Sequence, residues 1–268
     1  MNEKDFENLA IDLLEATMNI ATVHKVDTKN LIEEHKRHSH NFNKGELTEF
    51  ASHSACIAYA FRYGIKTSYE TWSLLRKGPL KSKVGNITIL GGGCCFELPV
   101  LLHYLKDQNK EIQVRVIDPV ARWQIFQPMH VRLAEKMGIR LHLEFVPVVD
   151  ILEQIDSYRT DLLLCLNSLN ELSFGERKAL RIAYATCNRH LIWHPSLSVM
   201  QDVFGASYIP MREEMKFSEG ELSDCLSRHH PEFAQLNPFA NFGEKGFYLM
   251  HNLSMAMNEN AQKWATKF

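Results

Sequence analysis

From residue 84 onward, short apolar runs alternate with longer amphipathic segments. The apolar runs predict strands and lie near 86–90, 112–117, 141–147, 161–166 and 189–193. The amphipathic segments predict helices and lie near 97–107, 121–137 and 174–187. Parallel strands need long crossover connections, which are usually helical. The alternation therefore predicts an α/β fold, a Rossmann-like, doubly wound and mostly parallel sheet covered by helices on both faces.

The C-terminal part of the chain departs from this alternation. Two closely spaced apolar runs, 233–239 and 246–252, are joined by a short polar segment that contains a glycine. Such a pair is typical of a hairpin. We therefore expect a C-terminal hairpin that adds antiparallel strands to one edge of the sheet.

The N-terminal part of the chain has a helical pattern instead. Apolar residues between positions 6 and 20 recur at helical spacing. Gly64 predicts a helix break, and Thr67 to Glu70 forms a capping-box pattern for the next helix. We expect a helical N-terminal lobe over residues 1–80, followed by a ligand-binding domain over residues 81–268.

Three consecutive glycines, Gly91, Gly92 and Gly93, follow the first predicted strand. Glycine adopts positive φ and has no side chain, so a ligand can lie against the main chain of such a turn. Asp118 ends the second apolar run, close to the spacing at which an acidic residue holds a ribose in nucleotide-binding folds. The two features together favour a ligand site, and the alternative is a tight strand-to-helix turn that binds nothing.

Composition and charge narrow the class of protein. The chain has 268 residues, of which 45% are hydrophobic and 23% charged, so it can bury a large core. A net charge of -2 gives no general attraction to nucleic acid, and any such contact needs a local basic surface. No apolar stretch reaches the roughly 18 residues that span a bilayer, and the first five residues are too polar to begin a signal peptide. We expect a cytoplasmic or nuclear protein with no membrane partner.

The six cysteines show neither a C-x-x-C pair nor a disulfide-like spacing, so we expect reduced thiols. Cys94 and Cys95 are adjacent in the glycine turn, and one of them is a candidate for ligand contact. Neighbouring side chains usually point apart, and the chain lacks the spacing of zinc ligands. We therefore predict no metal. Cys165 lies inside an apolar run and is expected in the core.

Two groups of residues in the lobe are candidates for substrate binding. The segment 35–44 is basic, and its Lys36 and Arg37 are suited to contact a substrate phosphate. Its histidines at positions 35, 38 and 40 suggest metal ligands, but a solvated basic turn is the simpler interpretation. Tyr59, Arg62 and Tyr63 precede Gly64 and are candidates to cover the ligand cleft; the alternative is simple packing between lobes.

Residues 84–252 resemble the class I S-adenosylmethionine-dependent methyltransferases. The resemblance is carried by five predicted parallel strands, a closing hairpin, the glycine turn and Asp118. It implies that the cofactor is S-adenosyl-L-methionine, with Gly91, Gly93 and Glu97 beside its methionine part and Gly92 in the same turn. It also implies that Asp118 accepts hydrogen bonds from the ribose. The third strand is followed by Val149, Asp150 and Ile151. The resemblance implies that these residues face the adenine, with Asp150 at its amino group.

The fourth strand carries the closest motif match. The segment from Asp161 to Leu172 ends in Asn-Glu-Leu and resembles the fourth motif of a ribosome-associated branch of this superfamily. That branch includes ribosomal-RNA methyltransferases and mitochondrial ribosome-assembly factors. The resemblance therefore implies an RNA substrate, structured or ribosomal, and leaves open a protein partner subunit. A small-molecule or protein methyl acceptor is the alternative.

Methyl transfer by direct displacement needs alignment more than acid-base chemistry. Asn167, Asn170 and Glu171 follow the fourth strand, where they are candidates to orient an acceptor or to take up a proton. Their alternative role is to cap the next helix. His194 follows the fifth strand and is a candidate general base or a polar residue at a strand end.

Because the sequence departs from the family pattern, two other classes of protein remain alternatives. Ile89 stands where the family usually has an acidic residue, and Cys95 stands at the third glycine. Both favour a catalytically inactive, methyltransferase-like protein that binds the cofactor or serves as a scaffold. A nicotinamide-dependent oxidoreductase would also use a glycine turn and an acidic residue, but its G-x-G-x-x-G pattern needs glycine at Phe96.

Overall fold

A computed structural model defines the fold. It describes residues 1–44, 50–77, 84–146, 160–166, 168, 177, 190–194, 197–204, 211–214 and 245–251. Within these ranges, no helix combines the length and the apolar character needed to cross a bilayer.

The N-terminal lobe is helical, as predicted. Its helices are α1 (Glu3–Val23), α2 (Thr28–Lys44), α3 (His53–Tyr59) and α4 (Ile65–Lys77), with a π-helical turn (Ala60–Gly64) between α3 and α4. Helix α1 begins with a capping box, in which the side chain of Asn2 accepts from the main-chain N–H of Asp5 and the Asp5 carboxylate accepts from that of Asn2. Its apolar face is buried, including Phe6 and Leu13.

The predicted helix break at Gly64 is wrong. The chain stays helical from α3 through the π-turn into α4, so Thr67 to Glu70 lies inside α4 and does not begin a helix. Gly64 serves a packing role instead: a Cβ atom built on it would lie 2.3 Å from the ring of Phe96. Ser68 then donates a 2.7 Å hydrogen bond to the Phe96 carbonyl. The absence of a side chain at Gly64 lets the lobe lie directly against the glycine turn.

The sheet has seven strands in the order β3-β2-β1-β4-β5-β7-β6. The strands are β1 (Asn86–Leu90), β2 (Glu111–Ile117), β3 (Arg140–Val146), β4 (Leu162–Leu166), β5 (His190–His194), β6 (Met211–Glu214) and β7 (Lys245–His251). The first five strands are parallel, and β7 is antiparallel to both of its neighbours. The five strands predicted from the apolar runs are confirmed within one residue at each end, and so is the α/β, Rossmann-like class.

The antiparallel edge differs in its pairing from the predicted hairpin. The run 246–252 corresponds to β7, and the run 233–239 lies outside the described residues. The two neighbours of β7 are β5 and β6, which comes from residues 211–214. This pairing joins segments far apart in the chain, and a pattern of adjacent apolar runs does not encode it.

Helices α5 (Glu97–Leu105) and α6 (Gln127–Lys136) follow β1 and β2, and a 3₁₀ turn (Ala121–Phe126) precedes α6. They match the predicted helices near 97–107 and 121–137. Helix α7 (Leu197–Phe204) follows β5. The helix predicted at 174–187 lies outside the described residues, apart from residue 177.

Burial differs along the sheet: β4 is fully buried, whereas β2 and β3 are partly exposed. Strand β4 is buried along its whole length, as expected between two layers. In β2 and β3, buried apolar residues alternate with more exposed polar ones such as Gln113 and His142. Here the exposed polar face follows the period of two that is typical of a strand with one solvated side. One continuous cluster of buried side chains joins the helical lobe to the sheet, and the division at residue 80 stays a prediction.

Candidate functional site

The glycine turn connects β1 to α5 at the carboxyl end of the parallel strands. Gly91 and Gly93 have φ of +60° and +51°, and Cys95 has φ of +60°. The main-chain N–H of Gly91 donates to the carbonyl of Ile117 at 2.8 Å, which ties the turn to the end of β2. Cys95 therefore occupies the left-handed region that glycine would adopt freely at the third position of the motif.

Asp118 follows β2 and its carboxylate closes the glycine turn. Oδ2 accepts from the main-chain N–H of Gly93 at 3.0 Å, and Oδ1 accepts from that of Val120 at 2.9 Å. Burial raises the pKa of Asp118, while these two bonds and a hydrogen bond from the Trp123 side chain oppose that rise. The glycine turn after β1 and the acidic residue after β2 are thus in direct contact, as their separation in the sequence predicts.

Glu97 is the first residue of α5 and lies beneath the turn with only 2% of its surface exposed. Within the described part of the chain, its Oε2 is buried and has no hydrogen-bond partner. Burial raises the pKa of Glu97 to about 8, with smaller contributions from the charges of Asp118 and Glu70. A buried carboxyl oxygen without a partner is uncommon and calls for an explanation.

An aromatic cluster from the lobe and the 3₁₀ turn lies against Gly93. A Cβ atom built on Gly93 would lie 3.7 Å from the ring of Trp123 and 3.9 Å from that of Tyr59. The centroids of these two rings are 5.6 Å apart, and the ring of Phe50 is 4.7 Å from Trp123 and 5.1 Å from Tyr59. Tyr63 joins the cluster through Tyr59, with 4.7 Å between centroids.

Three of the lobe residues predicted to bind substrate, Tyr59, Arg62 and Tyr63, lie in or next to the π-turn. Arg62 lies 5.2 Å from the ring centroid of Tyr63, and its Nη1 is 3.2 Å from Nε2 of His35 on α2. Burial, followed by the charges of Arg62 and His38, lowers the pKa of His35 to about 4. The imidazole of His35 is therefore neutral at pH 7 and accepts from Arg62.

Lys36 and Arg37 are exposed on α2, next in the chain to His35. Arg37 pairs with Glu34 at 2.6 Å, so part of its charge is already matched. His38 is buried and its Nε2 lies 2.9 Å from the carbonyl of Ala55. No group of three potential metal ligands occurs among the described residues.

A shallow cavity of about 500 Å³ lies beside Asp118. Its lining residues are Phe50, Pro119, Val120, Ala121 and Arg122. Arg122 donates from Nη1 to the carbonyl of Phe50 at 3.0 Å, which fixes the lobe to the loop after β2. The cavity combines an aromatic ring and apolar side chains with one guanidinium group, a composition suited to a planar polar ligand.

Several predicted site residues lie outside the described residues. They are Val149, Asp150 and Ile151 at the expected adenine site and Asn167, Asn170 and Glu171 after β4. His194 ends β5, so its main chain lies at the carboxyl end of the sheet. The roles of all seven residues stay predictions.

The sequence reasoning missed three residues of the site. Oγ of Ser168 lies 2.8 Å from the carbonyl oxygen of Gly91 and 3.0 Å from that of Leu166, and its single hydrogen is shared between them, so Ser168 joins the glycine turn to the end of β4. Trp123 and Phe50 contact the turn through the aromatic cluster. A serine two residues beyond a predicted parallel strand is an available signal for Ser168, whereas Phe50 reaches the site only through the packing of the lobe.

The cysteines have structural positions. Cys56, Cys94, Cys95 and Cys165 are all buried and free of disulfide bonds. Cys165 is fully buried in β4, which confirms its place in the core. Burial raises the pKa of the Cys94 and Cys95 thiols well above the usual range, so both are neutral thiols at pH 7.

Comparisons with known proteins give matches among solved structures alone, because neither the scan of protein families nor the search of curated proteins finds a match. An O-methyltransferase family protein from Burkholderia thailandensis aligns at a TM-score of 0.46 and 11% identity, over 77% of this chain and 62% of that one. This chain thus spans less than two thirds of that protein. An S-adenosylmethionine-dependent methyltransferase from Aquifex aeolicus aligns at 0.36 and 17% identity, over 69% and 90%. The plantazolicin methyltransferase BpumL, in complex with S-adenosylhomocysteine, aligns at 0.36 and 12% identity, over 94% and 100%.

Proposed function

We propose that this protein is an S-adenosylmethionine-dependent methyltransferase. The observation that carries the proposal is the pair of buried carboxyl groups at the glycine turn. Asp118 lies on one side, hydrogen-bonded to Gly93, and Glu97 lies on the other with an unpartnered oxygen. In open α/β sheets, ligands bind at the carboxyl ends of the strands, where this turn lies.

The described residues at the glycine turn suit the amino-acid part and the ribose of this cofactor. The side-chain-free turn suits the amino-acid part, and the unpartnered oxygen of Glu97 suits its ammonium group. Asp118 is held by two main-chain N–H groups and is suited to accept from the ribose hydroxyls. The apolar surface of Pro119 and Val120, together with Val149, Asp150 and Ile151, is proposed to hold the adenine.

When bound, S-adenosylmethionine supplies a methyl group activated by a positively charged sulfur. The protein's task is then to hold an acceptor atom in line with that group and to exclude water, because proximity and orientation account for much of the acceleration of such a displacement. Asn167, Asn170, Glu171 and His194 are proposed to orient the acceptor or take up its proton. The aromatic cluster shields the turn from the side of the lobe.

We propose RNA as the methyl acceptor. Two observations support it: Lys36 and Arg37 are exposed on α2, and Tyr59 and Tyr63 present half-buried rings beside the glycine turn. Cations contact phosphates without regard to sequence, and aromatic rings stack on unpaired bases. Arg62 contacts Tyr63 and also His35, the residue that precedes Lys36 on α2.

Transfer of a radiolabelled methyl group tests the activity. We expect label in structured RNA when the protein is incubated with labelled S-adenosylmethionine and total RNA, and no label with Asp118→Ala. Label in small molecules or protein, with none in RNA, would show that the protein is a methyltransferase but that RNA is not its methyl acceptor. Cofactor binding without transfer to any fraction would favour the scaffold alternative.

RNA contact by the lobe is tested separately by fluorescence anisotropy over a range of salt concentrations. The logarithm of the binding constant falls as the logarithm of the salt concentration rises, and each lost phosphate contact reduces the steepness of this fall by about 0.7–0.9. We expect Lys36→Ala combined with Arg37→Ala to lower the slope by about one to two. Lys4→Ala, an exposed lysine on α1, is the control and should leave the slope unchanged. An unchanged slope in the double variant would remove α2 from the RNA surface.

A further inference from the structure

The carboxyl group of Glu97 sits in an enclosed position directly under the glycine turn. A Cβ atom built on Gly92 would lie 3.4 Å from Oε1 of Glu97, so this oxygen faces the main chain of the turn. Oε2 is buried, with no hydrogen-bond partner among the described residues. Leaving a buried carboxylate oxygen unpaired is costly, and the cost falls if the group carries a proton or gains a cationic partner.

The two charged groups that act on the pKa of Glu97 are both carboxylates, and a hydrogen bond from its own main-chain N–H opposes the rise. Asp118 approaches from the end of β2 and Glu70 from α4. On α4, the side chain of Lys66 pairs with Glu70 at a distance of 3.7 Å. Cys94 and Cys95 also interact with Glu97, and their buried thiols are neutral at pH 7. A proton on Glu97 relieves the repulsion between carboxylates, and a bound cation would relieve it equally.

We propose that Glu97 is protonated in the free protein and ionises when the ammonium group of the cofactor's amino-acid part binds beside it. The inference rests on the proposed function and adds to it a coupling between cofactor binding and proton release. The O–H bond of the carboxyl group breaks, its proton passes to solvent, and the carboxylate pairs with the ammonium group. One proton leaves the protein for each cofactor bound.

Two consequences follow at neutral pH. The pKa of about 8 for Glu97 means that most molecules carry this proton at pH 7, so binding releases nearly one proton. The affinity should then rise about tenfold for each pH unit between pH 6 and 7. The pKa values of His35 and His130, each about 4, keep these two histidines neutral across this range, so they do not contribute to the slope.

Calorimetric titration in buffers of different ionisation enthalpy counts the released protons. With S-adenosylhomocysteine, which keeps the ammonium group, we expect about 0.9 proton released at pH 7.0, from a pKa of about 8. 5′-Methylthioadenosine lacks the amino-acid part and should release none. Glu97→Gln keeps the size of the side chain and should bind S-adenosylhomocysteine without proton release and without the tenfold pH dependence. Glu135→Gln, at an exposed position on α6, should behave as the unaltered protein does.

The outcomes separate this inference from the proposed function. Binding of S-adenosylhomocysteine by the unaltered protein without proton release would overturn the coupling and leave the cofactor site standing. Equal proton release by Glu97→Gln, or by 5′-methylthioadenosine, would also overturn it. Absence of binding for both nucleosides at millimolar concentration would overturn the proposed function and the coupling with it. The comparison of the two nucleosides uses the unaltered protein and does not depend on the folding of any variant.

Discussion

The main-chain N–H of Gly93 donates a 3.0 Å hydrogen bond to Oδ2 of Asp118, which joins two motifs 25 residues apart in the chain. The bond holds the turn after β1 against the end of β2. Trp123 adds a third hydrogen bond to the same carboxylate. Asp118 is therefore part of the framework of the turn as well as a candidate ligand contact.

Asp118→Asn should destabilise the protein even without ligand. Both carboxylate oxygens accept from main-chain N–H groups, and an amide NH₂ placed at either oxygen would face a donor. A buried donor left unsatisfied costs about 1–3 kcal/mol, so we expect a loss of this size in the free energy of unfolding. Urea denaturation measures it. Unchanged stability would show that these two bonds do not hold the turn.

Gly91→Ala should lower the free energy of unfolding more than Gly138→Ala does. Both glycines have positive φ, but a Cβ atom on Gly91 would lie 2.5 Å from Cβ and Oγ of Ser168, whereas none of the atoms considered lies within 4 Å of one on Gly138. We expect a loss of about 1–2 kcal/mol from backbone strain at Gly138 and a further 1–3 kcal/mol or so from the clash at Gly91. Thermal and urea unfolding of the two variants provide the comparison. Equal losses would mean that Ser168 moves aside at little cost.

Stability should fall as the pH rises from about 6.5 to 8. The folded-state pKa of Glu97 is raised from 4.5 to about 8, so its contribution is fully present below pH 4.5 and is lost as the pH passes through 8. One such group changes the free energy of unfolding by up to about 1.4 kcal/mol per pH unit. Glu97→Gln should flatten this limb. Urea denaturation at a series of pH values tests it, and an equal decline in the variant would assign the limb to other groups.

His130 should lower the stability of the protein as the pH falls, whereas Glu97 lowers it as the pH rises. Its Nε2 lies 2.8 Å from the carbonyl of Cys94, and because a carbonyl only accepts, Nε2 carries the hydrogen. Burial lowers the pKa of His130 from 6.5 to about 4, so its contribution is present above pH 6.5 and is lost as the pH falls through 4.

His130→Gln keeps a donor near the position of Nε2 and cannot be protonated in this range. We expect the variant to take up about one proton fewer on unfolding between pH 4 and 6.5, which makes the acid limb of its stability curve shallower. Stability measured at the same pH values gives this difference. If the stability of the variant falls as steeply below pH 6.5 as that of the unaltered protein, the fall is caused by His35 and other groups and not by His130.

Local patterns predicted the parallel part of the sheet well. Five apolar runs gave β1 to β5, because a buried parallel strand is apolar along most of its length and is bounded by polar or turn residues. The contact between the glycine turn and Asp118 followed from the same topology, since neighbouring parallel strands place their carboxyl ends side by side.

Features that depend on contacts between distant segments were missed or mispredicted. Gly64 was interpreted as a helix break, but it permits close approach to Phe96, a contact that no local pattern contains. The partner of β7 comes from 211–214, across a long sequence separation. Phe50 and Ser168 reach the site in the same way, through packing of the lobe and of β4 against the turn.

Binding of S-adenosylhomocysteine at the glycine turn tests the central claim most directly. In calorimetric titrations at pH 7.5, we expect one site with a micromolar Kd, weakened at least roughly tenfold in Asp118→Ala by the loss of a charged hydrogen-bond acceptor. Glu111→Gln, an exposed change at the other end of β2, should bind as the unaltered protein does. Absence of binding at millimolar ligand, or equal binding by Asp118→Ala, would contradict the account.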